Sequence, residues 1–113
     1  LRPYFTRLRT PAGTLVTRQH PPVKDVDATD HDTMHPGLWL AFGDINGHDF
    51  WRNVARIEHV ELTTPRIEQG RMRFAATSRL VTPQGAVIGR VDSEFTCRTL
   101  PAGWALIWRA TFH

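Results

Sequence analysis

From residue 71 onward the chain alternates. Met72, Phe74, Ala76 and Leu80 are interleaved with Arg71, Arg73, Thr77 and Arg79, and Val87, Val91, Phe95 and Cys97 with Arg90, Asp92, Glu94 and Arg98. A period of two places every second side chain on the same face of a strand, so each segment predicts a strand with one core face and one wet face. Trp104, Leu106, Trp108 and Phe112 repeat the pattern in a last strand. Segment 54–63 is less regular, because Ile57 and Val60 fall on opposite faces, and residues 1–8 and 14–18 predict a shorter first hairpin. No window carries a helical period.

Three turns of one design separate these runs: Thr10-Pro11-Ala12-Gly13, Thr82-Pro83-Gln84-Gly85 and Leu100-Pro101-Ala102-Gly103. Proline at the second position presets φ, and glycine at the fourth accepts left-handed geometry, so each predicts a chain reversal. Strands joined by short reversals are antiparallel neighbours. The expected fold is therefore all-β: an antiparallel meander of about six or seven strands forming a β-sandwich, or part of a larger one. Opposite charges on the wet faces, Arg71, Arg73 and Arg79 against Asp92 and Glu94, are placed to pair across the hairpin.

With 113 residues, residues 1–113 make one β domain with a single core. The chain starts at Leu1 rather than Met and ends, "WRATFH", inside a predicted strand, so the expectation is an N-terminal portion of a longer domain. The open sheet edges this leaves call for a continuation or a second copy of the chain. Apolar residues at 41% and charged residues at 22% exclude a disordered chain. No apolar run approaches the roughly 18 residues of a membrane span, and no signal-peptide pattern opens the chain, so the reading is of a soluble, by default cytoplasmic protein. Cys97 is the only cysteine; it forms no intrachain disulfide and reads as a small core residue.

The net charge is +3, but its distribution is uneven. Residues 25–49 hold six of the eleven carboxylates (Asp25, Asp27, Asp30, Asp32, Asp44, Asp49) and no Lys or Arg, so this segment carries −6 and the remainder +9. The arginines sit at strand exteriors without interleaved stacking aromatics or a recognisable module, which argues against nucleic acid as a partner.

The one non-repetitive stretch is residues 19–36, "QHPPVKDVDATDHDTMHP", running into "GLWLAFGDINGHDFW". Long loops in small domains are commonly functional. His31 and His35 with Asp30 and Asp32 supply the nitrogen and oxygen donors that suit one divalent transition metal, although no helix is predicted to put the two histidines on one side. Asp25, Asp27, Asp30 and Asp32 offer an oxygen-only alternative for calcium without the usual loop motif. A metal-free reading makes His31 or His35 a proton carrier oriented by Asp44 or Asp30. Trp39, Phe42, Phe50 and Trp51 near Asn46 supply the apolar ring faces and polar groups of a sugar site. Against these stand structural readings: core aromatics, aspartates capping turns, and Asp44-Ile45-Asn46-Gly47 as a plain hairpin reversal. His20, His48 and His59 stand apart and read as surface or packing residues.

The segments "RPYFTRLRTPAGTLVTR" and "DHDTMHPGLWLAFGDINGHDFWRN" resemble a bacterial family labelled methane oxygenase PmoA, or else a domain of unknown function, strongly over the first half of the chain. The resemblance implies a β-sandwich longer than this chain, encoded among carbohydrate-processing genes. It maps onto His31, His35, Gly37, Trp39, Asp44, Asn46 and Trp51; three residues separate the histidines here, one more than in the family's usual form. Together these readings predict a carbohydrate-like small molecule bound or processed by His31, His35 and Asp44, with Trp39, Asn46 and Trp51 against the substrate. The alternatives are a metal-dependent oxidoreductase using His31, His35 and an aspartate, and a non-catalytic binding or assembly domain.

Overall fold

The computed structural model describes residues 2–113, and the fold is all-β. β1 (Asp44–Ile45) and β2 (His48–Asp49) form a small hairpin. The main sheet is built from β3 (Arg56–Leu62), β4 (Arg66–Glu68), β5 (Arg71–Val81), β6 (Val87–Leu100) and β7 (Gly103–Phe112). Its order is β3-β5-β6-β7, all antiparallel, with β4 paired to the early part of β5 and β3 to the late part. This is the meander that the alternation and the reversals predict.

The turns work as expected. Gly13 donates to the Thr10 carbonyl at 2.9 Å and Gly85 to the Thr82 carbonyl at 3.0 Å, both glycines lying at positive φ. In both turns the threonine hydroxyl also accepts from a following amide, that of Thr14 or Ala86, each at 3.1 Å. In the third, Leu100 pairs with Gly103 across Pro101-Ala102.

Cross-strand register sorts the side chains into rows. Phe74, Phe95 and Trp108 share one row of the inner face; Ala76, Ser93 and Ala110 the next; Ser78, Val91 and Phe112 the one after. A bulge at Val60 lets Ile57, His59 and Leu62 all join the inner face, opposite Leu80, Ser78 and Ala76. That extra residue is why 54–63 looked irregular. Val87, expected in the core, is exposed: the register shifts between Leu80 and Val81, and Ile88 packs against the core instead. Cys97 is half-buried on the inner face, and burial raises its thiol pKa.

The outer face is polar. Glu58 pairs with Arg79 of β5 at 3.1 Å and with Arg56 at 3.3 Å, Asp92 with Arg90 at 2.9 Å, and Glu94 with Arg109 at 3.5 Å. The charged pairs therefore run along and across the sheet, where solvent screens exposed pairs and leaves each a small contribution.

Residues 2–55 cover the inner face, and here the expected strands do not form. In place of the hairpin expected from residues 1–8 and 14–18, of which Leu1 lies outside the described residues, there is an isolated bridge from Arg9 to Leu15, and Phe5 is bridged instead to Leu38. The reason is where the side chains go: Phe5 turns down onto the sheet, edge-on to Phe95 and Trp108 at 5.2 and 5.7 Å. The layer opposite the sheet is irregular chain plus the β1–β2 hairpin, and this two-layer arrangement is compatible with a sandwich. The shortest dimension is 19 Å, about two layers. At one end Phe50, Ala55, Leu80 and Val91 form the buried core, with Phe42 and Ile57 against it. No helix among the described residues is long and apolar enough to cross a membrane.

Two outcomes follow. Leu80, at 2% exposure, lies at the centre of the core; Leu80→Ala is expected to lower unfolding free energy by about 2 to 5 kcal/mol in urea titration. Hydrogen bonding to Arg79 holds the Glu58 carboxyl below its ordinary range, so its contribution is present above about pH 4.3 and fades as pH falls through the lower folded-state value. Glu58→Gln is expected to flatten the loss of thermal stability below that pH; an unchanged slope would show that the pair does not contribute.

Candidate functional site

The loop that carries His31 and His35 is organised by a cation from outside it. Residues 25–49 lack Lys and Arg, and Arg18 reaches in, its side chain only 14% exposed. Its Nε and Nη2 donate to the His35 carbonyl at 3.1 and 2.8 Å, its Nη1 to the carbonyls of Asp30 at 2.7 Å and of Ala28, and Nη2 also to that of His31 at 3.3 Å. One planar guanidinium thus satisfies carbonyls that have no strand partner, which is the geometry arginine supplies and lysine does not.

Inside that clamp the chain makes one tight turn. His31 sits at positive φ (49°), uncommon for a residue with a side chain, and its carbonyl accepts from the amides of Met34 at 3.1 Å and His35 at 3.0 Å. This one turn brings the histidines together without a helix, and the two imidazoles meet at 5.5 Å, edge to face. Pro36, fully buried, and Gly37 then end the loop. A Cβ at Gly37 would lie 2.3 Å from the Phe5 carbonyl oxygen, so only glycine permits the Phe5–Leu38 bridge that follows.

The bridge delivers Trp39 beside His35, their rings 5.9 Å apart, and the turn after β2 brings Trp51 to 6.1 Å from His35 and 5.3 Å from Trp39. His31, His35, Trp39 and Trp51 are therefore one continuous cluster. His31 is well exposed, its side chain 64% open, and its Nδ1 lies 3.3 Å from Asp30 Oδ2. That contact, with Asp30's own backbone and Arg18, holds the Asp30 carboxyl below the usual range.

Behind the tryptophans stands Arg2, 4% exposed. Its Cζ lies 3.9 Å from the centre of the Trp39 ring, and its Nη2 donates to the Trp51 carbonyl at 2.8 Å and to Asn53 Oδ1. Burial lowers its pKa, and nearby Asp49 opposes that effect. Asp49 is in turn held low by the amide and side chain of Arg52, both at 3.0 Å.

The remaining expected site residues lie elsewhere. Asp44 and Asn46 sit in the β1–β2 reversal, where Asn46 and Gly47 take the two left-handed positions of a hairpin turn and Asp44 Oδ1 accepts from the Gly47 amide at 2.9 Å. The hairpin reading describes this segment, and Asp30 rather than Asp44 is the carboxylate on a histidine. His31, His35, Asp30 and Asp32 do not converge as a ligand set: among the described residues no three His, Cys, Asp or Glu side chains come together at metal-binding spacing. His59, read as a lone histidine, faces the inside of the sheet with Ser78 and Val91. Arg2 and Arg18 were not singled out from the sequence. The signal for Arg18 was the long acidic segment with no cation of its own.

An all-β domain with an imidazole and indole cluster, clamped by two arginines, is what fold and site define. The chain belongs to the family of unknown function DUF6807, which it matches over residues 1–113. No curated protein and no solved structure matches it.

Arg2 joins the first residues of the chain to both tryptophans. Arg2→Lys, which keeps the charge but loses the planar fork, is expected to destabilise by about 2 kcal/mol in urea unfolding and to change the tryptophan emission of the native state. Native emission identical to that of the parent chain would place Trp39 and Trp51 outside the influence of Arg2.

Proposed function

We propose that the cluster of His31, His35, Trp39 and Trp51 binds a carbohydrate-like small molecule and that the His31–Asp30 pair moves a proton on or off it. The observation that supports this reading is the Trp39–Trp51 pair: two indoles 5.3 Å apart and inclined by 52°, with His35 against both and Trp51 38% exposed. Inclined ring faces present an apolar surface to the CH face of a sugar ring, while imidazole and carboxylate at its edge meet hydroxyl groups. Asp30 is a carboxylate at neutral pH, so it accepts the Nδ1 proton of His31 and leaves Nε2 to exchange one with a ligand. His35, wedged between His31 and the indoles, sets the spacing between proton carrier and ring platform.

This reading agrees with the carbohydrate context implied by the likeness to the PmoA-labelled proteins. The test is a panel of neutral and acidic mono- and disaccharides followed by saturation-transfer NMR and tryptophan fluorescence. One class is expected to bind saturably, Trp51→Ala to weaken it about tenfold at unchanged thermal stability, and His31→Ala to abolish turnover of a bound substrate while leaving its affinity within about threefold. Absence of saturable binding across the panel, or affinity indifferent to Trp51→Ala and Trp39→Ala, would rule the reading out.

A further inference from the structure

The inner face of the sheet holds a second space, apart from the histidine loop. Between the buried core at one end and the Phe5, Phe74, Phe95 and Trp108 cluster at the other lies a cavity of about 490 Å³. That volume falls in the range of small-molecule sites, roughly 300 to 1,000 Å³. Its origin is visible in the register. The row Ala76, Ser93 and Ala110 carries only small side chains, flanked by Phe74, Phe95 and Trp108 on one side and by Ser78, Val91 and Phe112 on the other. Phe5 rests on the first flanking row and Phe42 reaches Phe112 in the second at 5.2 Å, so the cover spans the small row and leaves the space beneath it.

The polar groups of this lining are few and grouped. Ser78 and Ser93 are 7% and 8% exposed and both line the cavity. Two further lining residues, Arg2 and Trp108, each hold a buried donor without a hydrogen-bond partner among the described residues, Nη1 and Nε1. His59 stands in register with Ser78 and lines the same space. A buried donor without a partner forfeits the hydrogen bond it made in water, so an orphaned guanidinium N–H and indole N–H in one lining call for an occupant that accepts hydrogen bonds there. The charge of that occupant is also constrained: the lining includes Arg2 and His59 and no carboxylate.

We propose that this cavity binds an apolar monocarboxylate, its alkyl or aryl body against Phe74, Phe95 and Trp108 and its carboxylate on Arg2, Ser78, Ser93 and His59. The cavity shares Arg2 with the tryptophan cluster, but the proposal does not depend on the sugar-binding reading.

The experiment is an amide NMR titration of the chain with decanoate, decanol and decylamine, beside the variants Ser78→Ala/Ser93→Ala and Ala76→Leu, each checked for cooperative unfolding. Decanoate is expected to shift amides of β3, β5 and β6 saturably and to bind at least tenfold tighter than decylamine. The double serine variant is expected to weaken decanoate about tenfold and leave decanol less affected, and Ala76→Leu, which fills the small row, to remove binding. Equal affinity for decanoate and decylamine would overturn the assignment of a carboxylate. No saturable shift with any of the three, or binding confined to residues outside the cavity, would overturn the site itself. Should Ala76→Leu fail to fold, the head-group series on the parent chain decides alone.

Discussion

The structure depends on covering one face of a sheet. β5, β6 and β7 place Phe74, Phe95 and Trp108 in one row, and exposing such a row to water is unfavourable by about 25 cal/mol for each Å² left uncovered. The cover is residues 2–55, which have almost no ladder of their own. A segment that buries side chains without pairing its backbone must satisfy its carbonyls in another way. In this chain arginine side chains do so: Arg18 for the carbonyls of residues 28–35, Arg2 for that of Trp51. The site is a by-product of that solution, since the same two guanidinium groups fix the histidines and the tryptophans.

Covering a flat sheet with irregular chain also leaves space. Phe5 and Phe42 make contact at large residues, and the row of Ala76, Ser93 and Ala110 lies between them. A void lined by apolar atoms forfeits dispersion contacts, and the buried Arg2 Nη1 and Trp108 Nε1 at its wall are without hydrogen-bond partners among the described residues as well. The polar outer face has no comparable demand, because its arginines and carboxylates form exposed ion pairs and remain hydrated.

The cluster of His31, His35, Trp39 and Trp51 joins two kinds of side chain: imidazoles and held apolar rings. Rigidity comes from behind. Pro36 is buried, Gly37 admits the Phe5 carbonyl, and Arg2 lies against Trp39. His31 and Asp30 are the most open, at the rim, and Trp51 is exposed beside them. This division, a held platform and an open edge, is what a surface site for a small polar ligand requires.

The strands and turns were legible in the sequence because they depend on local rules: a period of two decides which side chains share a face, and a Thr-Pro-x-Gly turn reverses the chain whatever surrounds it. The same reading located the histidine and tryptophan residues and recognised Asn46-Gly47 as a reversal, since those signals span only a few residues. What it missed needed distance in space. Residues 1–18 alternate well enough to predict strands, yet Phe5 is drawn onto the sheet more than 60 residues away, and Leu38 becomes its partner. Arg18 and Arg2 looked like ordinary exposed cations until the fold placed uncapped carbonyls and an indole within reach. Asp44 was read beside the histidines by proximity in the chain, whereas the turn geometry commits it to Gly47. His59 became a cavity residue only when a bulge at Val60 set its register against Ser78. Local pattern decided the elements; the need to bury one face and satisfy its cover decided which residues meet.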